Sequence, residues 1–203
     1  MKNMKKILVL ALAALLLVAV SVAGTVAYLT AKTDPVTNTF KPSTLSVTLS
    51  EETPASNNRN IQMVPGTSVT KDPKVSYTTD VPAYVFVKVT ETIGGDLIFD
   101  TYIGYDVITT GDNKWTRLED GLYYMEVAAG SQNNISIIQD KTTPTPKADK
   151  VTIKNVTLTE MEALKKLEET AYPKLTFEAF IIQKEPFGSA AAAWAEVPTT
   201  TTP

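Results

Sequence analysis

The chain contains neither cysteine nor histidine in 203 residues. Without cysteine there is no disulfide scaffold and no lipobox thiol for a lipid anchor, so packing and hydrogen bonds alone must hold any fold. Without histidine there is no His-Glu-x-x-His zinc site, no Ser-His-Asp triad and no Cys-His dyad. Paired carboxylates and oxygen-ligated calcium are the chemistries that survive these absences. No acidic stretch matches an EF-hand loop, and Asp96, Asp100, Asp106, Glu119 and Asp120 read as surface acids. The sequence also lacks an internal repeat and a Leu-Pro-x-Thr-Gly sorting motif near its C-terminus. We therefore assign no catalytic residue, no metal ligand and no cofactor, and expect a protein that is not an enzyme.

Basic residues are few once the N-terminus is set aside. Residues 1–27 hold three of the 19 Lys+Arg and none of the 22 Asp+Glu, so the remaining 176 residues carry 16 basic against 22 acidic groups, a net charge of −6. That balance argues against nucleic acid and against anionic lipid as partners.

The N-terminus itself is distinctive. Lys2, Lys5 and Lys6 precede an apolar run from Ile7, which ends in small residues at Ser21-Val22-Ala23-Gly24-Thr25-Val26-Ala27. A basic start, an apolar middle and small side chains at the −3 and −1 positions describe an export signal cut after Ala27. Thr25 and Ala27 are the cut-site residues, and Tyr28 becomes the new N-terminus. The 20 residues from Ile7 to Val26 would also span a bilayer as a helix of ~30 Å, so a retained anchor is the competing reading. Either way the body of the chain faces outside, with membrane contact only through an uncleaved signal. The expected organisation is 1–27 signal peptide, 28–42 N-terminal segment, 43–197 folded domain and 198–203 a disordered Thr-rich tail.

Period-two alternation dominates that domain. Leu45, Val47 and Leu49 alternate with Ser46, Thr48 and Ser50; Val85, Val87 and Val89 alternate with Tyr84, Phe86 and Lys88. Further strands are expected at 61–64, 75–78, 97–108, 121–127, 135–138, 151–158 and 175–183, separated by Pro65-Gly66, Gly94-Gly95 and Gly111-Asp112-Asn113 turns. Thr159 with Glu162 forms a capping box opening a helix with Met161, Leu164 and Leu167 on one face, and Ser189 caps a short helix over 190–196. The fold class is all-β: an antiparallel β-sandwich, jelly-roll-like, with one or two short helical inserts. Aromatics at strand period pack cores by default. Trp115, beside the Gly-Asp-Asn turn, is the ring expected to be exposed.

Gly24-Thr25-Val26-Ala27-Tyr28-Leu29-Thr30 followed by Asn38-Thr39-Phe40 resembles the signal-peptide junction of the TasA/camelysin (CalY)-like family, exported proteins of Gram-positive bacteria with a SipW-type signal. Pro82-Ala83-Tyr84-Val85-Phe86-Val87-Lys88-Val89, Gly121-Leu122-Tyr123-Tyr124 and Leu175 to Gln183 resemble the sandwich core of its clostridial members. The resemblance implies a secreted or cell-surface jelly-roll domain, processed by a signal peptidase. It also implies polymerisation into biofilm-matrix fibres with itself or related matrix subunits. The freed N-terminal segment would be donated as a strand, with Tyr28, Leu29, Thr30, Val36 and Phe40 as its candidate pegs. Such head-to-tail contacts propagate an open filament. Pro35 interrupts this segment, and the alternative is a free end preceding the domain's own first strand. A monomeric cell-surface binding module or adhesin is the alternative function.

Overall fold

The computed structural model describes residues 2–28, 42–51, 61–141 and 146–197. The chain divides into two compact units, 1–41 and 42–203. In the first, α1 spans Lys2–Tyr28. Its large apolar side chains from Ile7 to Val18 are 60–74 % exposed. A helix apolar on every side has no solvated face to present to water. No helix among the described residues is long and apolar enough to cross a membrane. The apolar run of the sequence continues to Val26, beyond the side chains described.

The second unit is an all-β antiparallel sandwich. Its strands are β1 Leu45–Glu51, β2 Ser68–Thr70, β3 Pro73–Thr79, β4 Ala83–Thr92, β5 Ile103–Gly104, β6 Asp106–Val107, β7 Thr116–Glu119, β8 Leu122–Val127, β9 Gln132–Ser136, β10 Ile138–Gln139, β11 Lys150–Ile153 and β12 Lys174–Gln183. Three short helices interrupt them: α2 Phe99–Tyr102, α3 Leu158–Lys165 and α4 Ala190–Trp194. One sheet runs β12-β4-β8-β7. Facing it, β1-β3-β9 is continued by β2-β11-β5 and β10-β6, the pieces joined by backbone bonds such as Ile137 N–H to Pro73 C=O (3.1 Å) and Asp149 N–H to Ile138 C=O (2.9 Å).

The main core fills the space between the sheets. Val85, Val87 and Val89 of β4 meet Val75 and Tyr77 of β3 and Ile135 of β9 there. The opposite face of β4 is buried as well. Tyr84 and Phe86 form a second core with Leu122, Ala190 and Ala193, covered by Trp194 of α4. Trp194 lies 5.2 Å from both Phe86 and Phe180, ring centre to ring centre. The helix therefore shields aromatics that alternation alone would place in water, and the Ser189 hydroxyl caps it by accepting from Ala192 N–H at 3.2 Å.

The local elements differ from expectation in four places. Residues 61–64 form no strand: they lead into a turn at Gly66 (φ +78), where an added Cβ would meet Asn155 Oδ1 at 2.5 Å. The expected strand over 97–108 begins instead with α2, which buries Phe99 and Tyr102; the Tyr102 hydroxyl donates to Glu160 C=O at 3.1 Å. Strand β11 stops at Ile153 because Leu158 already belongs to α3. The α3 cap is Thr157, not Thr159. Both fit the capping-box spacing, but Glu160 reaches back to Thr157 N–H at 2.6 Å and to its hydroxyl at 2.9 Å. These bonds, the backbone one foremost, hold the Glu160 carboxyl below the usual carboxylate range.

Candidate assembly edge

A sandwich exposes backbone at the edges of its sheets, and each free edge is a template for another strand unless something blunts it. At one end of the molecule the edges are blunted. Strand β7 is four residues long, carries Arg117 and Glu119 and is broken by a register shift between them. Strands β5 and β6 are two residues each. At the other end β12 offers ten residues but bears Lys174 and Glu178, the latter 3.8 Å from Lys88, and follows Pro173.

Strand β9, at the far edge of the sheet that holds β1, is also uncharged, but it is five residues long and its Ser136 carbonyl accepts from Trp115. Strand β1 is longer and has no such block. It is seven residues long, carries no charge before Glu51, and contains no proline and no bulge. It pairs with β3 from Leu45↔Thr79 to Glu51↔Pro73, and among the described residues no strand pairs with its other side. The direction of its backbone groups follows from the ladder. Asp80 N–H donates to Thr44 C=O at 3.3 Å, and hydrogen-bonded pairs alternate along an antiparallel ladder. Hence Ser46, Thr48 and Ser50 bond to β3, whereas the N–H and C=O of Leu45, Val47 and Leu49 point to the open edge. The β9 side agrees: Thr79 N–H donates to Ser131 C=O at 3.0 Å, so the odd residues of β3 bond to β9 and the even ones to β1. Three donors and three acceptors point to this side, where β12 of the facing sheet also approaches β1.

The outer face of the same sheet is polar and nearly uncharged. Register places Ser46, Thr78 and Gln132 on one rung, Thr48, Ser76 and Asn134 on the next, and Ser50, Lys74 and Ser136 on a third. Ser46, Thr48, Ser76, Thr78 and Gln132 of the first two rungs border a shallow, open depression.

Of the residues expected at a signal cut, Thr25, Ala27 and Tyr28 all lie within α1, so the backbone there is helical. The expected donor pegs Leu29, Thr30, Val36 and Phe40 lie outside the described residues, as does the tail 198–203. Trp115 is not exposed. It is 1 % accessible, part of the core between the sheets, and its indole N–H donates to Ser136 C=O at 3.1 Å. The turn before it returns the chain inward, with Trp115 N–H bonded to Ile108 C=O at 2.8 Å, and a large ring beside two sheets gains more by burial than by exposure.

Three of the acids singled out in the sequence form ion pairs, Asp120 with Arg117 at 2.6 Å and the other two with lysines. Asp100 lies 3.1 Å from Lys154, and Asp106 lies 3.6 Å from Lys141. Among the described residues no three acidic, histidine or cysteine side chains converge as metal ligands. Tyr105 donates its hydroxyl to Glu91 at 2.7 Å, bridging the two sheets. Burial, then this carboxylate partner, pushes its pKa far above the ordinary phenol range. Burial likewise raises Tyr123.

Sequence reasoning placed β1 but not its position at an edge. The absence of charge from 45 to 50 was no signal for it, since 61–70 and 127–139 are uncharged as well. The chain matches no protein-family model, and searches of curated proteins and of solved structures return no significant similarity.

Proposed function

We propose that this is an exported, non-enzymatic structural protein of the TasA/camelysin type, a subunit of extracellular matrix or cell-surface fibres on a Gram-positive bacterium. In this reading a signal peptidase cuts after Ala27, which requires the last turn of α1 to open. The freed segment from Tyr28 to Phe40 then pairs with the open edge of β1 in another copy or in a related matrix subunit. The observation that carries the reading is the unblunted β1 edge, with the N–H and C=O of Leu45, Val47 and Leu49 directed outward. The basic-apolar-small order of residues 2–27 supports export. Jelly-roll connectivity belongs to the same proposal.

The test is sedimentation of residues 28–203 at rising concentration. Strand donation calls for large, length-heterogeneous species that disappear when 28–40 are deleted. A sharp monomer at every concentration would rule out assembly by this chain alone. It would favour the second reading, a monomeric surface-binding module, for which the uncharged hydroxyl and amide face over β1-β3-β9 is the supporting observation.

A further inference from the structure

Strand β1 ends at Glu51, and the link between β2 and β3 begins at Lys71. Their side chains meet, with Lys71 Nζ 2.9 Å from Glu51 Oε2. This pair is unlike the molecule's surface ion pairs. Lys88–Glu178, Lys184–Glu126 and Lys154–Asp100 leave a third to two thirds of each side chain exposed, whereas Lys71 and Glu51 retain 17 % and 10 %. The ammonium also lies over the Phe177 ring, 5.4 Å from its centre, and Phe177 is itself buried. The other carboxylate oxygen, Oε1, is buried and accepts no hydrogen bond among the described residues. A buried charge pair with an unsatisfied oxygen is a poor source of stability, because the cost of removing both ions from water is only partly returned.

We propose that Glu51 and Lys71 condense to an intramolecular amide that ties the edge strand to the rest of its sheet. Proton transfer from the ammonium to Oε2 within the existing hydrogen bond gives a neutral amine and a neutral acid. Nζ attacks Cδ, forming the N–C bond. A second Nζ proton passes to the hydroxyl oxygen, the C–O bond breaks and one water leaves. No oxidant, reductant or further reactant enters. Two features promote the step. The backbone of Lys71 is held by its N–H bond to Asp149 C=O at 3.0 Å, and Glu51 directly follows Ser50, the last residue of β1 that bonds to β3. Well-oriented intramolecular reactions reach effective molarities of about 10⁵ M or more. The product replaces two poorly solvated charges by one neutral amide. In a chain without cysteine it is also a covalent brace for the strand that the open edge would load.

The proposal does not depend on fibre formation. It is tested by the intact mass of the purified full chain held at neutral pH, followed by tandem mass spectrometry of its proteolytic peptides. The net charge does not change on condensation, so mass is the appropriate readout. The expected result is a deficit of one water, with a branched peptide joining residues 51 and 71. Lys71→Arg should restore the full sequence mass, and Glu51→Gln should lose ammonia instead of water. A wild-type mass equal to that of the sequence would overturn the proposal. So would a deficit that survives in Lys71→Arg, or one that maps to a cyclised Asp120-Gly121 step.

Discussion

Proline at two adjacent positions of β1 separates the edge from the ladder. The nitrogen of Val47 faces the open side, so Val47→Pro removes a donor that bonds nothing within the described fold. Its folding cost is confined to the lost packing of a half-buried side chain, about 1 kcal/mol. The nitrogen of Thr48 faces Ser76, so Thr48→Pro deletes a ladder bond and strands a carbonyl, at about 2–4 kcal/mol. Assembly should respond the other way round. For an incoming strand, Val47→Pro takes away one hydrogen bond and leaves its partner carbonyl unpaired, about 2 kcal/mol, which weakens each contact roughly thirty-fold. The assays are urea unfolding for stability and sedimentation of residues 28–203 for assembly. Val47→Pro should fold nearly as the parent does but assemble only at much higher concentration. If it polymerises as the parent does, β1 is not the acceptor. If it unfolds as readily as Thr48→Pro, the alternation of bonds along β1 deduced from Thr44 and Asp80 is wrong.

Two further outcomes follow from buried groups. Trp115→Ala empties a core site and strands the Ser136 carbonyl, so it should cost about 3–5 kcal/mol in urea unfolding, while a wild-type stability would mean the ring is peripheral. Tyr105, with a folded pKa raised above its unfolded value, contributes stability that is complete below pH ~10 and declines as pH rises beyond it. Ultraviolet titration should therefore find a phenol fraction that ionises only as the protein unfolds in alkali, and Tyr105→Phe should reduce that fraction by one tyrosine.

Much of this architecture was legible because alternation is a local property. Leu45, Val47 and Leu49 against Ser46, Thr48 and Ser50 specified both a strand and its inward face, and the β4 valines did the same. The Ser189 cap was legible for a similar reason: it needs only residues three apart. Where two local solutions compete, the sequence does not choose between them. Thr157 and Thr159 both satisfy the capping box, and the folded chain uses Thr157.

The sequence by itself determined a basic N-terminus followed by an apolar run, a chain without thiol or imidazole chemistry, and an antiparallel all-β body, since each follows from composition or from neighbours in the chain. Tertiary structure decided what depends on distant residues meeting. It turned Trp115 inward onto Ser136, covered the aromatic side of β4 with α4, brought Lys71 to Glu51, and left β1 at an edge whose outward side no described strand pairs. Burial and strand order arise from contacts between segments far apart in sequence, and no local pattern encodes which strand stands last in its sheet.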